Sequence, residues 1–150
     1  MSISMQKVQR FCRELELELT ADSDGGFLFQ YDSALLHIQA QQPEGSPEEF
    51  IQITCLVAHA VPASAELCAE LLEHNAGLPF GAFALLNGNI ILRQTLLGGE
   101  HIDIDEFRIT FFAMAIAADR FDDMIVKRYG GRRAIDLIKE HGRLDFAWAL

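Results

Sequence analysis

The chain has 150 residues, half of them apolar and 23% charged, with Lys+Arg at 12 against Asp+Glu at 22. Residues 1–150 suit one domain with its own core, and the balance excludes an intrinsically disordered polymer. A formal net charge of −10 and a pI near 4.8 repel phosphate backbones and anionic headgroups, which argues against nucleic-acid and membrane-surface partners.

A first helix is predicted over about Ser4–Leu15, with Ser4 as N-cap and Met5, Val8, Phe11, Cys12 and Leu15 as its apolar stripe. Glu14–Leu19 alternates Glu and Leu, a period that fits strand as well as helix. After the Asp22–Gly26 loop, Phe27–Tyr31 and Leu35–Gln39 read as strands around Asp32-Ser33-Ala34, and Phe50–Val57 as a third strand. A second helix starts at Ser64, carries Leu67, Cys68, Leu71 and Leu72 on its apolar face, and ends near Asn75 and Gly77.

Asn87-Gly88 between two apolar runs predicts a tight hairpin, because a type I′ turn needs positive φ at both central residues. The register then pairs Leu85 with Ile90 and Phe83 with Leu92 on one side. Ala82, Ala84, Leu86, Ile91 and Arg93 lie on the other. The first side is bulky and reads as core. The second is small and mostly apolar, which fits either core under a helix or a face that docks a partner's strand or helix.

Past Gly98-Gly99, Asp103 and Glu106 form an acidic capping box flanked by Ile102 and Phe107 as a hydrophobic staple. The helix they start extends to about Arg128. Ile104, Phe107, Phe111, Met114, Ala118, Phe121 and Ile125 lie along one side of it, and Ile109, Phe112 and Ile116 along another. Apolar residues over so much of the circumference mean a central helix or one covered by a partner. A short fourth helix spans Arg132–His141 and stops at Gly142. The apolar tail Phe146–Leu150 either folds onto the body or occupies a groove on the same or a neighbouring molecule.

The order is thus α-β-β-β-α-β-β-α-α. Consecutive strands joined by short links predict an α+β fold with a largely antiparallel five-stranded sheet packed by helices.

Residues suited to chemistry do not assemble locally. His37, His59, His74, His101 and His141 each stand apart from any second ligand at helical spacing. Cys12, Cys55 and Cys68 sit among apolar neighbours, as reduced thiols of a cytoplasmic protein do. No secretion signal is legible at the N-terminus, and the most apolar window, Phe111–Ala118, is too short to span a bilayer. Asp119, Asp122 and Asp123 fit a solvated helix face with an Asp123–Lys127 pair, or else a divalent-cation site. Arg120 has the reach to meet an internal carboxylate. Lys127, Arg128, Arg132 and Arg133 balance a helix C-terminus, and neither glycine pair has a phosphate-loop pattern. No catalytic residue, metal or cofactor is expected. The candidate partner-binding residues are Ala82, Ala84, Leu86, Ile91 and Arg93 on the hairpin, with Phe112 and Ile116 on the long helix.

Leu71-Leu72-Glu73-His74-Asn75, Leu78-Pro79-Phe80-Gly81-Ala82-Phe83-Ala84-Leu85, Ile91-Leu92-Arg93 and Ala118-Asp119-Arg120-Phe121-Asp122-Asp123, in this element order, resemble the type III secretion chaperone-like fold, in particular its YbjN branch. The resemblance implies a homodimer, without enzymatic activity, that holds a protein or peptide client along sheet and helix surfaces or regulates a partner protein. It carries over no client-contacting residue and does not place the 132–150 extension. The alternative is a regulatory or sensory domain with a small ligand between sheet and long helix; a weaker third is a metal-dependent enzyme using the aspartate cluster.

Overall fold

The computed structural model describes residues 1–143 and Phe146. Its elements run α1 (Ile3–Glu14), β1 (Thr20–Ala21), β2 (Phe27–Tyr31), β3 (Ala34–Gln41), β4 (Phe50–Ala58), α2 (Ala65–Gly77), β5 (Ala82–Leu86), β6 (Asn89–Leu97), α3 (Ile104–Tyr129) and α4 (Ala134–His141). The strands form one antiparallel sheet in the order β1-β2-β3-β4-β6-β5. It has six strands rather than the expected five. The extra one is a two-residue pairing of Thr20 with Leu28 and Ala21 with Phe27, too short to leave a period in the sequence.

Strand alternation sends two different sets of side chains to the two faces. Leu36 and Ile38 on β3, Ile51, Ile53 and Cys55 on β4, and Ile90 and Leu92 on β6 point to one face and are fully buried. There they pack with α1 and the inner stripe of α3 in the main core. Ile91 on β6, Leu28 on β2, Leu35 on β3 and Leu56 on β4 point the other way, into a second, smaller cluster with Ala134 and Leu137 of α4 and with Phe146. The sheet is therefore sandwiched, with α4 on the face opposite α3.

Local signals place most boundaries. Asn87 and Gly88 have φ of 50° and 79°, and the hairpin pairs Leu85 with Ile90 and Phe83 with Leu92. Ser64 and Asp103 cap α2 and α3 by accepting from the N–H groups of Leu67 and Glu106 at 3.1 and 2.8 Å. The cap of α1 is Ser2, not Ser4: Ser2 Oγ accepts from Met5 N–H at 3.2 Å. Ser4 lies inside the helix, fully buried, and its hydroxyl accepts from Gly99 N–H at 2.6 Å. The approach is close because position 98 is glycine; a Cβ there would stand 2.6 Å from Glu49 O and from Ser4 Oγ. The Glu-Leu alternation resolves as the end of α1 at Glu14, after which Leu17 and Leu19 pack on the main core.

On α2, Leu67 and Leu71 are buried, whereas Leu72 is 70% exposed. Leu67 and Leu71 are four residues apart and share a face; Leu72 is rotated a further 100° off it. Asn75, near the end of α2, closes the outer edge of β5: its Oδ1 accepts from Phe83 N–H at 2.6 Å and its Nδ2 donates to Phe83 O at 3.3 Å. A side-chain amide thus substitutes for a neighbouring strand at that edge.

Phe107 is fully buried while Leu97 is 63% exposed. Phe107→Ala should cost about 3–5 kcal/mol, and Leu97→Ala should stay within about 0.5 kcal/mol. Urea unfolding midpoints measure both, and equal effects would contradict this placement of the core.

Candidate functional site

The long helix α3 carries two apolar stripes, and they meet different surroundings. Phe107, Phe111, Met114, Ala118 and Ile125 face inward and are buried. Ile109 and Ile116, seven residues and nearly two turns apart, are 47% and 53% exposed. Phe112 lies between them, half-buried, with its ring edge-on to Phe111 at 5.4 Å. Beside Ile116 runs a groove of about 420 Å³ between α3 and the end of α2, lined by Leu78, Pro79, Ala113, Ala117 and Phe121 with His74. Arg120 stands at its rim. Among the described residues it reaches no internal carboxylate; it is exposed, with its guanidinium over the Phe121 ring at 5.4 Å. His74 also lies against Phe121, at 4.7 Å. Leu78-Pro79 forms the groove wall. In the sequence this pair reads only as a turn, because its exposure depends on where α3 crosses.

The five hairpin positions are divided by α4. Ala82 and Ala84 are exposed on the edge strand, and Leu86 is half-buried. Ile91 is 1% exposed beneath α4, so this position is covered by the chain itself rather than open at the surface. The physical reason is the return of the chain over this face, at least 40 residues downstream of the hairpin. Arg93 is half-buried at the middle of the face, its Nε donating to Thr54 Oγ1 at 3.0 Å. Two strands over from Arg93, His37 Nε2 lies 3.0 Å from Asp22 Oδ2, and the imidazole stacks on Phe146 at 4.7 Å and 11°. Burial holds His37 below its usual value of 6.5, against the opposing pull of Asp22 and Asp24. Of the apolar tail, only Phe146 falls within the described residues; the rest of 147–150 lies outside them.

The aspartate cluster is not a solvated face. Asp123 does pair with Lys127 at 2.8 Å, but Asp119 and Asp122 hold the β2–β3 turn. Asp119 Oδ1 accepts from Ser33 N–H at 3.1 Å and from Ser33 Oγ–H at 2.5 Å, and Asp122 Oδ2 also meets Ser33 Oγ. One hydroxyl proton cannot serve two carboxylates, so one contact requires a carboxyl proton. Asp122 is 1% exposed, and burial pushes its carboxyl above the ordinary aspartate range despite the Ser33 bond. Of the two carboxyls, burial favours the protonated form at Asp122. These carboxyls are thus used up in packing α3 onto a turn 86 and 89 residues away.

Among the described residues, no group of three or more His, Cys, Asp and Glu is placed to hold a metal. Cys12 and Cys55 are buried; burial pushes the Cys12 thiol up to about 12 and raises Cys55 as well, so neither supplies a thiolate nucleophile. The basic run is paired: Arg128 with Glu70, Arg132 with Glu140 at 2.7 Å, and Arg133 with Asp136 at 3.1 Å. No helix among the described residues is long and apolar enough to cross a membrane.

The described residues form an antiparallel sheet sandwiched by helices, with apolar surface left on the central helix α3. The family model described as T3SS (YopN, CesT) and YbjN peptide-binding chaperone 1 matches residues 6–137. The chain belongs to this family. A comparison with curated proteins gives no match. Among solved structures, a chain in the crystal structure of the ExsC–ExsE complex is similar, with a TM-score of 0.59 and 15% identity, covering 79% of this chain and 93% of that one. YbjN from E. coli is similar at a TM-score of 0.59 and 10% identity, covering 83% and 95%. At these identities the likeness is one of fold.

The upward shift of the Asp122 carboxyl has a pH signature. Its folded-state value lies above the unfolded one, so its stabilisation is complete below about the ordinary 3.8 and is lost as pH rises through the raised value. Asp122→Asn removes that titration. Wild-type stability relative to the variant should therefore fall with rising pH when urea unfolding is followed from about pH 4 to about pH 8. A flat or rising difference would contradict the assignment.

Proposed function

We propose that the protein is a non-enzymatic, chaperone-like module that holds a segment of a client polypeptide on the outward stripe of α3 and the groove beside it. Residues 1–150 act as one domain, with 132–150 as a C-terminal extension, in the cytoplasm and as a homodimer. The observation that carries this reading is the pair Ile109 and Ile116, 47% and 53% exposed on the helix whose opposite stripe builds the main core. Large aliphatic side chains aligned on one exposed helix face, next to an apolar groove, mark a surface for another polypeptide. Phe112 supplies aromatic area at its centre, Leu78 and Pro79 a wall, and Arg120 a cation at the rim. Ala82, Ala84 and Arg93 on the sheet's second face offer a smaller, more polar accessory surface.

Membership in a peptide-binding chaperone family supports the reading, as does the likeness to a chain crystallised in a two-protein complex. A net charge of −10 limits non-specific aggregation through such a surface. The small-ligand alternative has no observation in its favour: Phe107, Phe111 and Met114, all with no exposure, fill the space between sheet and α3. The metal-enzyme option lacks its ligands, since Asp119 and Asp122 are engaged with Ser33.

Ile109→Glu with Ile116→Glu should lower client capture by roughly thirtyfold, the loss of about 2 kcal/mol expected at an interface hot spot. The thermal midpoint should move little, since both positions are exposed. Light scattering and pull-down of co-purifying polypeptides measure the outcome. Unchanged capture by the folded variant, or a strictly monomeric wild type that captures nothing, would contradict the proposal.

A further inference from the structure

The sheet's second face is covered by a segment that is attached firmly at one end and held mainly by apolar contact beyond it. Gly130 and Gly131, with φ of 91° and 86°, turn the chain back after α3. His59 and Arg132 exchange two backbone hydrogen bonds, at 2.7 and 2.9 Å, which fix that return beside the end of β4. A Cβ at position 131 would stand 2.6 Å from His59 O, so the junction is tight.

Beyond this point, few of the polar bonds described among residues 1–143 and Phe146 join α4 to the body. Its ion pairs Arg132–Glu140 and Arg133–Asp136 are internal to the segment. One backbone bond, Ile135 N–H to Ser33 O at 3.3 Å, and a long 3.9 Å Arg133–Asp123 pair reach outward. What holds it is apolar. Ala134, Leu137 and Ile138, spaced i, i+3 and i+4, lie on the patch made by Leu28, Leu35, Leu56 and Ile91, and Phe146 stacks on His37. An eight-residue helix is too short to persist alone, so its order depends on this contact. Among the described residues the cover is also incomplete: a cleft of about 520 Å³ opens beside Ile138, Leu28 and Leu35, between the end of α4 and residues 16–20.

We propose that the sheet's second face is itself a helix-binding surface, that α4 together with Phe146 is its resident occupant, and that a client's amphipathic helix displaces it. The client helix would carry apolar residues at i, i+3 and i+4 followed by an aromatic, the pattern α4 displays. Four strands contribute one leucine or isoleucine each, a continuous apolar floor with Arg93 and Thr54 at its polar end. The family match stops at residue 137, so Ile138 and Phe146 extend beyond it. This inference rests on the reading of the protein as a polypeptide binder but uses a different surface from the α3 stripe.

The test uses the full-length chain carrying Leu137→Ser and Phe146→Ala, and a labelled synthetic peptide of residues 132–146 as probe. The weakened occupant should let the variant bind the peptide saturably, one to one, and at least about tenfold tighter than the wild type, whose own segment competes at high effective concentration. A folded variant with no saturable binding, or a wild type that binds the peptide equally well, overturns the proposal. If the double variant does not fold, amide exchange on the wild type decides. The α4 amides should exchange through local opening, at least about a hundredfold faster than those of β4; exchange only with global unfolding overturns it. Peptide binding does not involve Ile109 or Ile116, so failure here leaves the α3 reading intact, and failure of client capture on α3 leaves this one intact.

Discussion

Phe107 and Phe111, 5.4 Å apart on the inner stripe of α3, form a row of rings with Phe11 of α1 and Phe29 of β2 at 6.0 and 5.2 Å. That row fills the space between the sheet and its two covering helices. Because close-packed aromatic contacts of this kind do not deform continuously, they set both the height of α3 above the sheet and its rotation. The rotation is what matters for function. With one stripe committed to the core, the second, Ile109–Phe112–Ile116, is turned outward on a rigid support. As the proposed binding surface, a stripe on a core helix is preorganised, and little ordering entropy would be lost when a client lands on it.

Polar contacts fasten this arrangement at its periphery. Ser33 ties the β2–β3 turn to Asp119 and Asp122, Asn75 seals the β5 edge, and Ser4 joins α1 to the loop that begins α3. Each is a single side chain satisfying backbone or carboxyl groups that would otherwise be buried without partners. The strong acidity of the chain lies outside these contacts, on exposed carboxylates, and offsets the tendency of its exposed apolar residues to associate without specificity.

Features decided by immediate neighbours are legible in the sequence. Asn87-Gly88 specifies its turn and so the hairpin register; Ser64 and Asp103 declare their helices; the spacing of Ile109, Phe112 and Ile116 separates them from the inner stripe of α3. What is not legible depends on residues far apart in the chain. Ser4 looks like a cap until Gly99, 95 residues later, claims its hydroxyl. The aspartates look solvated until Ser33 is brought to them. Ile91 alternates into the outward face of its hairpin, and only the return of α4 over the sheet turns that face into core. Leu72 is missed for a subtler reason: on α2, one step of 100° separates a buried position from an exposed one, and neighbouring leucines do not declare which is which.

The central claim is that the outward stripe of α3 meets another polypeptide. The most direct measurement is photocrosslinking from a photoreactive residue at position 116, compared with one at position 44 in the exposed β3–β4 connection, in the full-length protein isolated with its bound polypeptide. The account predicts covalent adducts to that polypeptide from position 116 and none from position 44. Adducts of equal yield from both, or none from position 116 while the polypeptide remains bound, would contradict it.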